Sequence, residues 1–336
     1  MTLSPVFRSK ESIEFLRKQG YIDKFQNALD IQKKARDKIS NLVYAHYSKP
    51  LHGSIQKDDM TIFENDFFLI LFIELCRNIG SKNVDWCAMF NYCIRGRITA
   101  ADNLFDDEDK KTLPFNDKIK GKLRTILELI TYDHLFHCLG KDINNYDDIK
   151  RALDNKIFEI GKLEGSEENG VDEIIEPEQM IDSVHRVRGG ALFELGIIAP
   201  KMLEPEKKEY WEKVNEAIHD IGTAFQIVDD ITDFEFDLKR KSHNLVLSEI
   251  YHNGTPAEKE ILMRYLDEGS NNNKLVETYF VESAYRVVQH AYRIAREGFV
   301  KLQQLGFWYN PEHTEQFVNA ILGDTGTPRL KKILKK

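Results

Sequence analysis

At 336 residues with 42% hydrophobic side chains, the chain is long enough to bury a substantial core. Its 55 acidic and 47 basic residues give a net charge of −8, which argues against a general nucleic-acid binder. The longest apolar run, Phe67 to Ile73, is far short of the roughly 20 residues that span a bilayer.

Stretches low in Pro and Gly run through about 22–47, 60–79, 84–106, 116–139, 147–162, 205–235 and 274–304. Apolar residues recur in them at steps of three and four, as at Leu123, Ile126, Leu127 and Ile130, which predicts helices throughout. No run of alternating β-branched residues is bounded by hairpin turns. The breaks are Gly- or Asn-rich, at 164–170, 252–256 and 269–273, and none is long enough to separate domains. The expectation is one all-α domain over 1–336, with ten or more helices around a central cavity. Residues 1–20 read as an N-terminal extension and 325–336 as a basic tail. The opening residues Met1 to Pro5 show no charged segment leading into an apolar one. Four cysteines (Cys76, Cys87, Cys93, Cys138) lack CxxC spacing, so free, mostly buried thiols in a cytoplasmic protein are expected.

Two acidic segments stand out. Phe225-Gln226-Ile227-Val228-Asp229-Asp230-Ile231-Thr232-Asp233 places three carboxylates on an otherwise apolar helix, with Asp229 and Asp233 one above the other. Upstream, Asp102, Asp106 and Asp109 follow an i, i+4, i+7 stripe, with Asp107 about 100° around from Asp106. Both segments fit D-[DN]-x-x-D, as Asp102-Asn103-x-x-Asp106 and Asp229-Asp230-x-x-Asp233. Like charges at this spacing repel, and their burial without a partner costs several kcal/mol per ion. A hard divalent cation with oxygen ligands offsets that and bridges carboxylates to phosphates. An EF-hand calcium loop is excluded, because neither segment has Gly at the sixth position. Candidate metal ligands are therefore Asp102, Asp106, Asp229, Asp230 and Asp233.

The ordered set resembles the trans-isoprenyl diphosphate synthase (polyprenyl synthetase) family, within the class I isoprenoid and terpene synthases. Asp102–Asp106 is similar to its first aspartate-rich motif, and Phe225–Asp233 to its Phe-Gln-x-x-Asp-Asp-x-x-Asp signature. Arg188-Gly189-Gly190-Ala191-Leu192-Phe193 resembles its Lys-Thr-(Ala/Gly)-x-Leu-Phe element, and Lys241 the lysine after the second motif. The resemblance covers roughly 85–250. It implies an all-α bundle in which two facing acidic helices hold about three Mg2+ ions, with Mn2+ able to substitute. It also implies an allylic prenyl diphosphate substrate and a homodimer. Arg188, Lys241, Lys110 and Lys111 are the implied diphosphate-binding cations, and Phe90, Phe105, Phe193 and Phe225 are candidates to face a carbocation. Two glycines in succession after Arg188 are poor in a helix interior and suggest a break whose backbone approaches a ligand closely.

The departures are equally definite. Chain-elongating members carry Gly-Gly-Lys-Arg near the N-terminus, and residues 49–54 here contain nothing of the kind. Their Arg-Arg-Gly after the first motif is replaced by Lys110-Lys111-Thr112, one residue early. The allylic site reads as kept and the acceptor site as eroded. Ionisation of one prenyl diphosphate followed by cyclisation or rearrangement is thus the first expectation. Condensation of two prenyl units at a modified acceptor site is the second, and a non-catalytic regulatory subunit of a prenyl synthase the third. The helix face leading to Asp102 is unusual, carrying Asn91, Arg95, Ile98 and Thr99, with Arg97 nearby. A rotated helix, a diphosphate contact by Arg95 and a short cavity all fit that pattern.

Overall fold

Asp58 starts a helix by accepting the Thr61 N–H at 2.9 Å, and Asn244 starts another by accepting the N–H groups of Val246 and Leu247. These caps belong to a computed structural model that describes residues 10–47, 58–105, 109–116, 118–167, 170–268 and 274–320. Every regular element among the described residues is helical, so the protein is all-α. In chain order the helices are α1 (Lys10–Lys18), α2 (Tyr21–Lys24), α3 (Gln26–His46), α4 (Asp59–Asn78), α5 (Val84–Phe105), α6 (Gly121–Gly140), α7 (Tyr146–Ser166) and α8 (Pro177–Met180). A π-helical stretch, Ile181–Gly190, leads directly into α9 (Ala191–Leu203). Then come α10 (Lys208–Thr232), α11 (Phe234–Arg240), α12 (Leu245–Asn253), α13 (Pro256–Glu268), α14 (Leu275–Tyr279) and α15 (Val281–Gln304). No helix among the described residues is long and apolar enough to cross a membrane.

The described residues group into two compact units. Those within 16–152 and 195–208 form the first, and those within 10–15, 153–194 and 209–320 the second. In the first, Phe25, Phe63 and Phe67 pack as a tilted and edge-on aromatic cluster between α3 and α4. Helices α5 and α6 cross so closely that a Cβ on Gly96 would overlap the Tyr132 ring. The apolar stripe of α6 does not face that contact. Leu123, Ile126 and Ile130 are 62%, 49% and 54% exposed, while Arg124, Thr125, Glu128 and Tyr132 are buried. Helical periodicity located α6 but not its inward face.

In the second unit, Ala224, Ile227, Val228 and Ile231 of α10 pack in one apolar core with α12 and α15. The Gly189-Gly190 pair has its explanation in this unit. A Cβ on Gly189 would lie 2.5 Å from the Gly222 carbonyl oxygen, and one on Gly190 would meet the His219 ring at 2.5 Å. The glycines therefore admit the backbone and the His219 ring of α10.

Candidate active site

The first acidic motif sits on the last turn of α5. Asp102 is exposed, while Asp106 and Asp107 lie outside the described residues. Asn103 is 2% exposed and makes a reciprocal pair with one residue: its Nδ2 donates to the Lys110 carbonyl at 2.8 Å, and the Lys110 N–H donates to its Oδ1 at 3.0 Å. That pair fixes Lys110 against Asn103 on α5; Lys110 and Lys111 are both half-buried. Asp109, expected on the same helical stripe as Asp102, lies beyond the end of α5. Its carboxylate accepts from Gly121 N–H at 3.2 Å and pairs with the buried Arg124, which holds it at the start of α6. The Thr112 and Leu113 N–H groups both donate to Glu128, whose carboxyl burial pushes upward while those N–H groups pull it back.

Arg95 resolves part of the puzzle of the α5 face. Its Nη1 pairs with Asp66 Oδ1 at 3.0 Å, while Asp66 Oδ2 accepts from Gln32 at 2.8 Å and from Arg36 at 3.4 Å. Asp66 is fully buried, at a kink in α4 where φ and ψ leave the helical region. Arg95 is thus paired inside its own unit, sharing Asp66 with Arg36. Arg97 lies 3.9 Å from Asp133 and over the Phe136 ring.

The second motif closes α10. The Asp233 N–H donates to the Asp229 carbonyl at 2.9 Å, so the backbone keeps the one-turn spacing of the two residues, and both are exposed. Asp230, expected as a metal ligand, is 3% exposed and turned inward. Its Oδ2 accepts the Leu245 N–H at the start of α12 and faces His185 Nε2 at 2.8 Å; His185 Nδ1 faces the Met180 carbonyl at 3.1 Å. Both ring nitrogens of His185 thus face oxygens. Asp230 therefore holds three segments together. Asp237, one turn past Asp233, is pushed up to about 8, first by burial and then by the charges of Asp230, Asp233 and Asp229, against a hydrogen bond from Asn244.

The basic residues flank this motif in the same unit. Arg188, in the last turn of the π-helical stretch, donates Nη2 to Glu167 Oε1 at 2.8 Å. Arg186 pairs instead with Asp182 and Asp220. Lys241 ends α11 with φ 57°, and it is the one non-glycine of positive φ among the described residues. A left-handed conformation costs about 1–2 kcal/mol for such a residue and marks a place held by its surroundings. Phe193 and Phe225 stack at 5.6 Å with their rings 22° apart, both half-buried, and Phe225 is one helical turn before Asp229. Phe90 is fully buried against Trp86, and the side chain of Phe105 lies outside the described residues.

Among the described residues, no three His, Cys, Asp or Glu side chains gather as a metal site. Within the second unit, the exposed Asp229 and Asp233 nonetheless supply hard oxygen donors. Such donors suit a cation that completes its shell with water and phosphate. Glu167, His185 and the Asp66 network escaped the sequence reading because their partners are distant in the chain. The inward turn of Asn103 and Asp230 was legible in principle: Asp230 lies on the apolar stripe Ile227, Ile231, Phe234, and Asn103 on Cys93, Gly96, Ala100.

No protein-family model and no curated protein matches the sequence. Solved structures do match, and they define the fold class: the chain has the fold of the trans-isoprenyl diphosphate synthases. A decaprenyl diphosphate synthase from Rhodobacter capsulatus is 13% identical, with a TM-score of 0.56 over 96% of this chain and 99% of that one. A polyprenyl synthase from Roseobacter denitrificans is 13% identical, with a TM-score of 0.54 over 95% and 100%. A polyprenyl synthase from Caulobacter crescentus, solved with calcium and isoprenyl diphosphate, is 14% identical, with a TM-score of 0.54 over 88% and 97%.

Proposed function

We propose that the chain is a divalent-metal-dependent prenyltransferase, which ionises an allylic prenyl diphosphate and joins the cation to a second prenyl unit at an acceptor site of altered composition. One observation carries the reading. The exposed pair Asp229 and Asp233, one turn apart, stands in a Phe-Gln-x-x-Asp-Asp-x-x-Asp segment, on a fold shared with prenyl diphosphate synthases. That the Caulobacter crescentus protein was solved with a divalent cation and isoprenyl diphosphate supports the same ligand class.

Asp102, Asp106, Asp229 and Asp233 would hold Mg2+ (or Mn2+), which when bound supplies Lewis-acid stabilisation to a departing diphosphate. Asp230 serves from behind, by fixing the helix end that presents Asp229 and Asp233. Arg188 and Lys241 add positive charge for the phosphate oxygens, and Arg188 has the planar fork suited to them. Lys110 and Lys111 do the same on the side of the first motif. Breaking the C–O bond sends its electron pair to the diphosphate and leaves an allyl cation. The stacked Phe193 and Phe225 offer π-faces worth about 0.5–2 kcal/mol each to that charge. Electrons of the acceptor's double bond then form the new C–C bond, and a proton lost to the diphosphate completes the balance. The working form in this reading is a cytoplasmic homodimer of the whole chain.

Cyclisation stays as the second reading because of specific departures, namely the missing Gly-Gly-Lys-Arg segment and Lys110-Lys111 in place of Arg-Arg-Gly. Incubation with Mg2+ and an allylic diphosphate, with and without isopentenyl diphosphate, separates the readings by product mass. A longer diphosphate formed only with the acceptor supports condensation. Hydrocarbon or alcohol formed without it supports cyclisation. No product in either case, with activity appearing only beside a separate prenyl synthase, supports the regulatory subunit. Excess EDTA should abolish product formation and Mg2+ restore it.

A further inference from the structure

Glu167 lies one residue past α7 and belongs to neither acidic motif, yet it is only 6% exposed. A carboxylate that deep is strongly disfavoured unless donors meet it. Each of its oxygens has one. Oε1 accepts from Arg188 Nη2 at 2.8 Å, and Oε2 accepts from the His243 N–H at 3.1 Å. Arg188 stands in the last turn of the π-helical stretch, while His243 is two residues past Lys241. The same neighbourhood is tied a second time, by the Val171 N–H donating to the Lys241 carbonyl at 2.8 Å. It is also tightly packed, since a Cβ on Gly170 would lie 3.1 Å from the Lys241 Cβ. One buried carboxylate therefore connects the two basic segments that the proposed function assigns to the diphosphate.

We propose that Glu167 is a positioning residue for diphosphate capture, holding the Arg188 fork and the Lys241–His243 turn in a single arrangement. The proposal rests on the reading of Arg188 and Lys241 as diphosphate-binding. Two effects of Glu167 oppose each other. Its negative charge near an anion site weakens anion binding, whereas the order it imposes on two cations strengthens it. Burial decides for order. A glutamine at 167 keeps one acceptor oxygen and gains an NH2 group, which would face either the guanidinium or the His243 N–H, both donors. One of the two segments must then turn away, at a place where the Arg188 side chain is only 14% exposed.

Calorimetric titration of the full chain with inorganic pyrophosphate in Mg2+ tests this in wild type, Glu167→Gln, Arg188→Ala and the double variant. Loss of a residue that orients ligand-binding groups typically costs 10–100-fold, so Glu167→Gln should weaken pyrophosphate at least about tenfold. In the Arg188→Ala background the same change should cost less than about threefold, because part of the effect acts through Arg188. Unchanged or tighter binding by Glu167→Gln overturns the proposal and makes Glu167 a counter-charge. Fully additive losses overturn it as well. Wild-type affinity in Arg188→Ala overturns the diphosphate assignment of Arg188 itself, and the proposal with it. If Glu167→Gln does not fold, Glu167→Asp decides, since it keeps the charge but is too short to meet both donors: weaker binding sustains the proposal and unchanged binding overturns it.

Discussion

Asn103 and Asp230 occupy the same place in the two acidic motifs, each one residue after an exposed aspartate, and both turn inward to hold a segment further along the chain. Asn103 does it as a neutral amide, matching one donor and one acceptor of Lys110. Asp230 does it with a carboxyl group, whose Oδ2 accepts the Leu245 N–H and faces His185 Nε2 at 2.8 Å. A helix turns about 100° per residue, so a motif written with adjacent acidic positions presents one to solvent and the next to the core. The first unit thus tethers its motif with an amide, while the second places a buried Asp230–His185 contact beneath its exposed carboxylates. The second motif should accordingly be more sensitive to loss of its inward residue.

The largest effects break the outward–inward distinction in the second motif. Asp229→Ala should cut turnover about a hundredfold or more, as removal of other transition-state charge stabilisers does, with the melting curve unchanged. Asp230→Ala should instead destabilise the protein by about 3–5 kcal/mol, because it strands a buried partner. An early melt for Asp229→Ala together with a normal one for Asp230→Ala would reverse the two roles. Next in size, Asn103→Ala removes both Lys110 hydrogen bonds and should cost about 1–3 kcal/mol in denaturant unfolding, with a smaller activity loss than Asp102→Ala. A neutral outcome there would mean that the segment after the first motif is held by other contacts.

A pH series sharpens the contrast. Asp237 is raised to about 8 in the fold against an ordinary value of 3.8, so between about pH 4 and 8 the folded protein keeps a proton that the unfolded chain releases. Its contribution to stability therefore falls as pH rises through that window. Asp237→Asn keeps the oxygen that Asn244 bonds and should lessen that fall, measured without Mg2+; parallel stability curves for wild type and variant would refute this. The smallest effect concerns Lys241. Lys241→Gly relieves its left-handed backbone and should stabilise the fold by about 0.5–1 kcal/mol, since glycine's looser unfolded chain offsets part of the gain. The same change should weaken pyrophosphate binding. A stable variant with full affinity would remove Lys241 from the diphosphate site.

The all-α class, the approximate extents of α3 to α7, α10 and α15, and the two acidic segments were legible from the residues alone. Those features depend on neighbours three and four residues apart, and local periodicity displays them. Long-range packing set which carboxylates face outward, that Asp109 leaves its stripe for Arg124, that Arg95 pairs with Asp66, and that Gly189 and Gly190 accommodate α10. It also decided that Leu123, Ile126 and Ile130 face solvent and that Glu167 joins Arg188 to the Lys241 turn. The azimuth of a side chain on its helix follows from its position in sequence, but whether that azimuth meets water, core or an opposite charge depends on residues far away along the chain.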